Sequence, residues 1–193
     1  MGYVDWLGRI EKEDSVLVSI LRRTGAVFYV KTSVPQTLMV CETVNNIIGR
    51  TVNPRNKNWS CGGSSGGEGA LIGIRGGIVG VGTDIGMLML VVRFVHLWLC
   101  LIRNYTGGSI RVPSAFNFLY GIRPSHGRLP YARLANSMEG QETVHSVVGP
   151  IAHSAAGKFV ILKTGKREWE LTGVCIRLTT ILDCGPCGGA LGL

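Results

Sequence analysis

The sequence predicts an α/β fold, and three observations carry that expectation. The chain has 193 residues, 46% of them apolar, which suits one domain with a buried core. An amphipathic helical signature runs directly into an apolar, β-favouring stretch, the order of an α/β layer. Residues 62–86 then hold 11 of the chain's 28 glycines without any Gly-X-Y period, which excludes collagen and points to backbone that side chains would obstruct.

Taken in order, residues 14–24 (DSVLVSILRRT) put Val16, Leu17, Ile20 and Leu21 on one helical face behind an Asp14/Ser15 cap, and Gly25 ends the helix. AVFYV at 26–30 reads as a buried strand. Asn53-Pro54 and the following RNKNWS read as a loop. Two zones look foreign to their neighbours. Residues 87–107 are abruptly apolar, with 14 of the first 16 positions hydrophobic, and the chain from about Ala155 onward finishes in CGPCGGALGL.

Composition removes several function classes. The net charge is 20 − 12 = +8, but the basic residues are scattered and accompany no zinc-finger, RRM or helix-turn-helix pattern, so no nucleic-acid partner is expected. The opening run MGYVDWLGRIEKEDSVLVSI has no apolar h-region, so the six cysteines are read as reduced thiols in the cytoplasm. Gly2 is followed by Trp6 rather than Ser or Thr, which fails the myristoylation pattern. His96, His126, His145 and His153 have no metal-ligand spacing, and no metal is expected.

Residues 62–86 admit three readings from local pattern alone. A phosphate cradle needs GxxxxGK[ST] or GxGxxG, and neither occurs. A nucleophile elbow, G-x-S-x-G, is matched by Gly62-Gly63-Ser64-Ser65-Gly66, but the preceding NWSC reads as no strand, and Asp84 with His126 makes a poor partner pair. A flexible linker does not continue into ALIGI and GIVGVGTDIG, which look like ordered core. CGPC at 184–187 copies a dithiol redox motif without the strand and helix that motif needs.

GGSSGGEGALI, then GVGTDIG, then GSIRVPSAFNFLYGIRPS resemble the signature of the amidase signature family, the serine amidohydrolases that include fungal acetamidases and fatty acid amide hydrolases. The likeness extends upstream through DSVLVSILRRTGAVFYVKTSVPQ and downstream to SVVGPIAHS, over roughly residues 1–154. It implies a partial amidase signature fold, a mixed β-sheet core flanked by helices and incomplete at both ends. It also implies hydrolysis of a small-molecule amide at its carbon–nitrogen bond, without a cofactor, through a Ser-cisSer-Lys arrangement. The nucleophile falls on Ser109, and the proton relay, reached through a cis peptide, on Ser64. The oxyanion-hole amides fall on Ile85, Gly86, Gly108 and Ser109. Asp84 and Arg111 match the acidic and basic positions of TDIG and GSIR, either as an ion pair bracing the loop or as separate solvated charges.

The sequence departs from that family in three places. The segment carrying the catalytic lysine, resembling P-V-S-x-K-D, lies upstream of Met1, and Lys31 matches a strand-end position that is not the catalytic one. TDIG and GSIR are separated by residues 87–107: Ser64 and Ser109 lie 109 − 64 = 45 apart, and removing 21 restores the family spacing of 24. The codons available for Gly86-Met87-Leu88 and Thr106-Gly107 permit intron-like borders, which makes residues 87–107 a candidate unspliced intron. The rival, a membrane helix, is disfavoured because 16 residues rise only about 24 Å and Arg93 sits near the middle. From 155 to 193 the text stops resembling the family. The domain expectation is therefore 1–154 with a foreign insertion at 87–107, then a tail at 155–193. Two functions stay open: an amidase-family hydrolase left with little or no activity by its missing base and split loop, or a non-catalytic remnant or mis-spliced product. Neither reading fixes an oligomeric state.

Overall fold

The computed structural model describes residues 1–85, 88–90, 103–105, 108–137, 139–140 and 144–167. Helix α1 (Val16–Arg23) begins where the cap pattern places it: the Ser15 hydroxyl accepts from the Val18 N–H at 3.4 Å. Gly25, at φ +88°, takes the left-handed turn that ends it. Leu17, Ile20 and Leu21 are buried and Val16 is half-buried, the expected face.

The expected buried strand at 26–30 does not form. The segment is extended but pairs with no strand among the described residues, and Val27 and Tyr29 are 84% and 62% exposed. An apolar run becomes a strand only where a neighbouring strand takes up its amides, and among the described residues no strand does so here.

Two hairpins follow. In the first, β1 (Val44–Asn45) pairs with β2 (Gly49–Arg50), and the Asn45 side-chain oxygen accepts from the Ile47 and Ile48 amides. In the second, β3 (Val52–Asn53) pairs with β4 (Asn56–Ser60) across a turn in which the Asn53 side-chain oxygen accepts from Arg55 N–H at 3.0 Å. This corrects the expected loop and the reading of NWSC as no strand. β4 is largely solvated and so lacks the apolar alternation that would have marked it.

Helix α2 (Gly66–Gly73) leads into β5 (Val79–Asp84). Then β6 (Leu88–Leu90) and β7 (Arg103–Tyr105) pair antiparallel, Leu88 opposite Tyr105. Helix α3 (Arg111–Phe116), β8 (Tyr120–Gly121), β9 (Val147–Ala152) and α4 (Ala155–Arg167) complete the described chain. Residues 155–193, set apart by the sequence, thus begin with a helix; CGPC at 184–187 lies outside the described residues.

The site-bearing sheet has strand order β5-β9-β8, antiparallel throughout. Pro150 sits in its central strand, with its carbonyl accepting from the Ile122 amide at 3.3 Å. Helices α1 and α4 cover one face of the sheet. Their Leu17, Leu21, Ile161 and Leu162 close a core with Leu129 and Val148, and Val79 and Val81 of β5 pack against it. The opposite face carries Gly80, Gly82 and Asp84, the buried half of β5, and receives α2 and α3.

Leu17 is 2% exposed at the centre of that core. Leu17→Ala is expected to lower unfolding free energy by about 2–5 kcal/mol, read as a drop in the urea midpoint at unchanged slope.

Candidate active site

The glycines explain how the site is assembled. A Cβ on Gly82 would lie 2.9 Å from the Ser65 hydroxyl and 3.1 Å from Ile110 Cγ1. One on Gly63 would lie 2.7 Å from the Val40 carbonyl oxygen and 2.8 Å from the Glu42 nitrogen. Without those side chains α2 rests on the β5 backbone, and residues 62–65 pass backbone to backbone against residues 40–42.

That passage delivers Ser64. The Gly63–Ser64 peptide is cis. Ser64 is 1% exposed, and its Oγ has no hydrogen-bond partner among the described residues. Ser109, 9% exposed, precedes α3. The Ser65 N–H donates to the Ser109 carbonyl at 3.1 Å, which brings the two serine segments into contact. Ile85 and Gly108 are also buried. Gly86 lies outside the described residues.

Several side chains that the sequence reading did not single out hold this arrangement. The Ser65 hydroxyl accepts from the Thr83 N–H at 3.2 Å and donates to the Thr83 carbonyl at 3.4 Å. Glu68 accepts from the Val81 N–H at 3.2 Å through one oxygen and from the Thr32 hydroxyl at 2.7 Å through the other. Burial pushes the Glu68 carboxyl above its usual 4.5, and these two hydrogen bonds oppose the rise. The Asn117 amide donates to the carbonyls of Cys61 and Pro113 at 2.8 and 2.7 Å, tying the approach to Ser64 onto α3.

Asp84 is fully buried and lies between two guanidinium groups, Arg111 at 3.6 Å and Arg123 at 3.5 Å. The expected Asp84–Arg111 pair is present; Arg123 is the second partner. Its side chain is 24% exposed against 50% for Arg111, and it also donates to the His145 carbonyl at 2.8 Å. The only trace of Arg123 in the sequence is its place in GIRPS, inside the resembling stretch but outside the TDIG and GSIR motifs. Lys31 is exposed, in keeping with its exclusion as a base. Among the described residues no group of three or more His, Cys, Asp or Glu could hold a metal ion.

The family model described as Amidase matches residues 1–87 and 102–172. The chain is 66% identical over 172 residues to an acetamidase of Emericella nidulans, covering 88% of this chain and 28% of that protein. It is 44% identical over 144 residues to a probable amidase of Saccharomyces cerevisiae, covering 75% and 22%. Among solved structures it superposes on fatty acid amide hydrolase with a TM-score of 0.72 at 37% identity, covering 91% of this chain and 28% of that one. The fold is therefore that of the amidase signature enzymes. The chain belongs to the amidase family, and it spans under a third of the length of the relatives it matches.

Two measurements check the electrostatics. Arg123→Ala is expected to cost about 1–3 kcal/mol of stability, because it strips a shielded partner from a buried carboxylate, and Arg111→Ala under about 1 kcal/mol. The reverse order in urea melts would refute the inference that the less exposed Arg123 contributes more than Arg111. For Glu68, a folded pKa above the unfolded one makes the native state bind the extra proton, so stability is fully present below the usual carboxylate range and falls as pH rises through the raised value. Glu68→Gln removes that loss, so the stability difference between variant and wild type should grow in the variant's favour from pH 4 towards pH 7.

Proposed function

We propose that this chain carries the acyl-transfer half of an amide hydrolase. The observation that supports it is the 3.1 Å hydrogen bond from Ser65 N–H to the Ser109 carbonyl, which links the residue after the buried Ser64 to the residue read as the nucleophile. In this reading the Ser109 oxygen attacks the carbonyl carbon of a small amide. Its proton passes to the Ser64 oxygen, while the Ser64 proton passes to a base and from there to the departing amine. The carbon–nitrogen bond breaks, leaving an acyl-serine that water hydrolyses. Ser64 suits a relay because a buried hydroxyl both donates and accepts, and an unengaged one is free to do both in turn.

The negative charge that develops on the carbonyl oxygen is met by backbone amides at Ile85, Gly86, Gly108 and Ser109. Each such donor is worth roughly 10²–10³ in rate. The base in this reading is a neutral lysine, as the family resemblance implies. Lys12, Lys31, Lys57 and Lys163 are exposed and lie outside the matching motifs, so none of them is assigned the role.

The second reading is a remnant without catalysis. It is favoured by the interruption itself, since the family model leaves residues 88–101 unmatched. Transcript sequencing tests whether residues 87–107 belong to the mature product. Reaction with p-nitrophenyl acetate separates the two readings in the protein. A variant lacking residues 87–107 should acylate at Ser109 at least about tenfold faster than the full chain, because the split loop costs oxyanion donors. Ser109→Ala should abolish the reaction in both. Equal release from wild type and Ser109→Ala would establish the remnant reading.

A further inference from the structure

Ser65-Gly66-Gly67-Glu68 has the S-x-x-E spacing of a helix capping box, in which the serine hydroxyl takes an amide of the first helical turn and the glutamate returns to the serine amide. Helix α2 uses neither bond. Ser65 occupies the N-cap, yet its side chain makes no capping hydrogen bond. Its N–H goes to Ser109, its hydroxyl to Thr83, and the Glu68 carboxylate to Val81 and Thr32.

The two amides addressed have something in common. Among the described residues β5 is the outer strand of its sheet, with β9 on its other side. Alternate residues of a strand point their amides to opposite sides, so Val81 and Thr83 offer theirs at the open edge. The spacing also matches: Ser65 and Glu68 are separated by about 4.5 Å of helix, Thr83 and Val81 by about 6.6 Å of strand, and the longer glutamate side chain spans the difference. Gly80 and Gly82 clear the way, since a Cβ on either would run into Glu68 or Ser65.

We infer that Ser65 and Glu68 are positioning residues: a capping pair turned sideways onto the open edge of β5, which fixes the strand that ends at Asp84, and Ile85 directly after it, against the Ser109 segment. The pair touches no substrate. It acts by standing in for a neighbouring strand, so that the Ile85 amide is held in place without rebuilding the helix cap. This assignment rests on the proposed role of Ser109 and the Ile85 amide, but the edge clasp itself is measurable apart from catalysis.

The test uses the full chain with Glu68→Ala, Glu68→Gln and Thr32→Val. Amide hydrogen exchange is read at Val81 and Thr83, and the p-nitrophenyl acetate reaction is split into its maximal rate and half-saturating concentration. Glu68→Ala should speed Val81 exchange about tenfold, the worth of one hydrogen bond, and slow acylation by a similar factor at unchanged half-saturation. Glu68→Gln keeps an acceptor and should stay within about twofold of wild type in both. Thr32→Val, which only unties the carboxylate, should give a smaller rise at Val81 and supplies the answer if Glu68→Ala does not fold. Unchanged Val81 exchange in Glu68→Ala, or in Thr32→Val where Glu68→Ala does not fold, overturns the clasp. So does a Glu68→Gln variant that matches Glu68→Ala. A wild-type chain inert to the ester overturns the nucleophile reading instead, and the exchange rates then decide the clasp alone.

Discussion

The contact between α2 and the bare face of β5 is the constraint on which the rest of the molecule depends. Gly80 and Gly82 occupy the buried positions of a strand whose other face carries Val79 and Val81, so one strand serves two kinds of packing. On the valine side it joins an ordinary apolar core with α1 and α4. On the glycine side it admits a helix so closely that hydroxyl and carboxylate groups reach strand amides directly. Each glycine weakens its element by roughly 0.5–1 kcal/mol in backbone entropy. That loss is the condition for the short backbone crossing between residues 62–65 and Ser109.

Charge is handled by the same economy of space. Asp84 ends β5 on the glycine face with no exposure to water, which would be prohibitive for a lone carboxylate. Two arginines from different elements resolve this: Arg111 opens α3 immediately after the Ser109 turn, and Arg123 follows β8. The ion pairs therefore pin the end of β5 to both flanks of the serine segment. Arg123 extends the link to the His145 carbonyl, just before β9. The cluster orients backbone on both sides of the serine segment.

What the sequence disclosed follows from which forces write local patterns. Helix α1 was legible because a Ser15 cap, a 3.6-residue apolar period and Gly25 all act within one segment. The Asp84–Arg111 pair was legible through the long glycine-rich resemblance, which also marked the two serine segments that the Ser65–Ser109 hydrogen bond brings together. Strand status at 26–30 was misread because exposed valine and tyrosine look the same in sequence as buried ones; pairing is a property of the neighbour. β4 was missed for the converse reason, since its polar residues hide a strand held by hairpin hydrogen bonds. Arg123, Asn117 and Glu68 act across separations of 39, 56 and 13 residues, and no periodicity reports such contacts.

The interruption between Ile85 and Gly108 looks more disruptive in sequence than in space. Leu88 stands opposite Tyr105 in an antiparallel pair, so the inserted segment leaves and returns through residues whose Cα atoms lie about 5 Å apart. Ile85 is three residues before that gate and Gly108 three after it, a reach of at most ~10 Å on either side. The two banks are also anchored to each other by one residue: the Ser65 hydroxyl grips Thr83 on the upstream bank and its N–H grips Ser109 on the downstream bank. Ser65 thereby ties Thr83, two residues before Ile85, to Ser109 across the interruption, which in the proposed mechanism keeps the Ile85 and Ser109 donors on one scaffold.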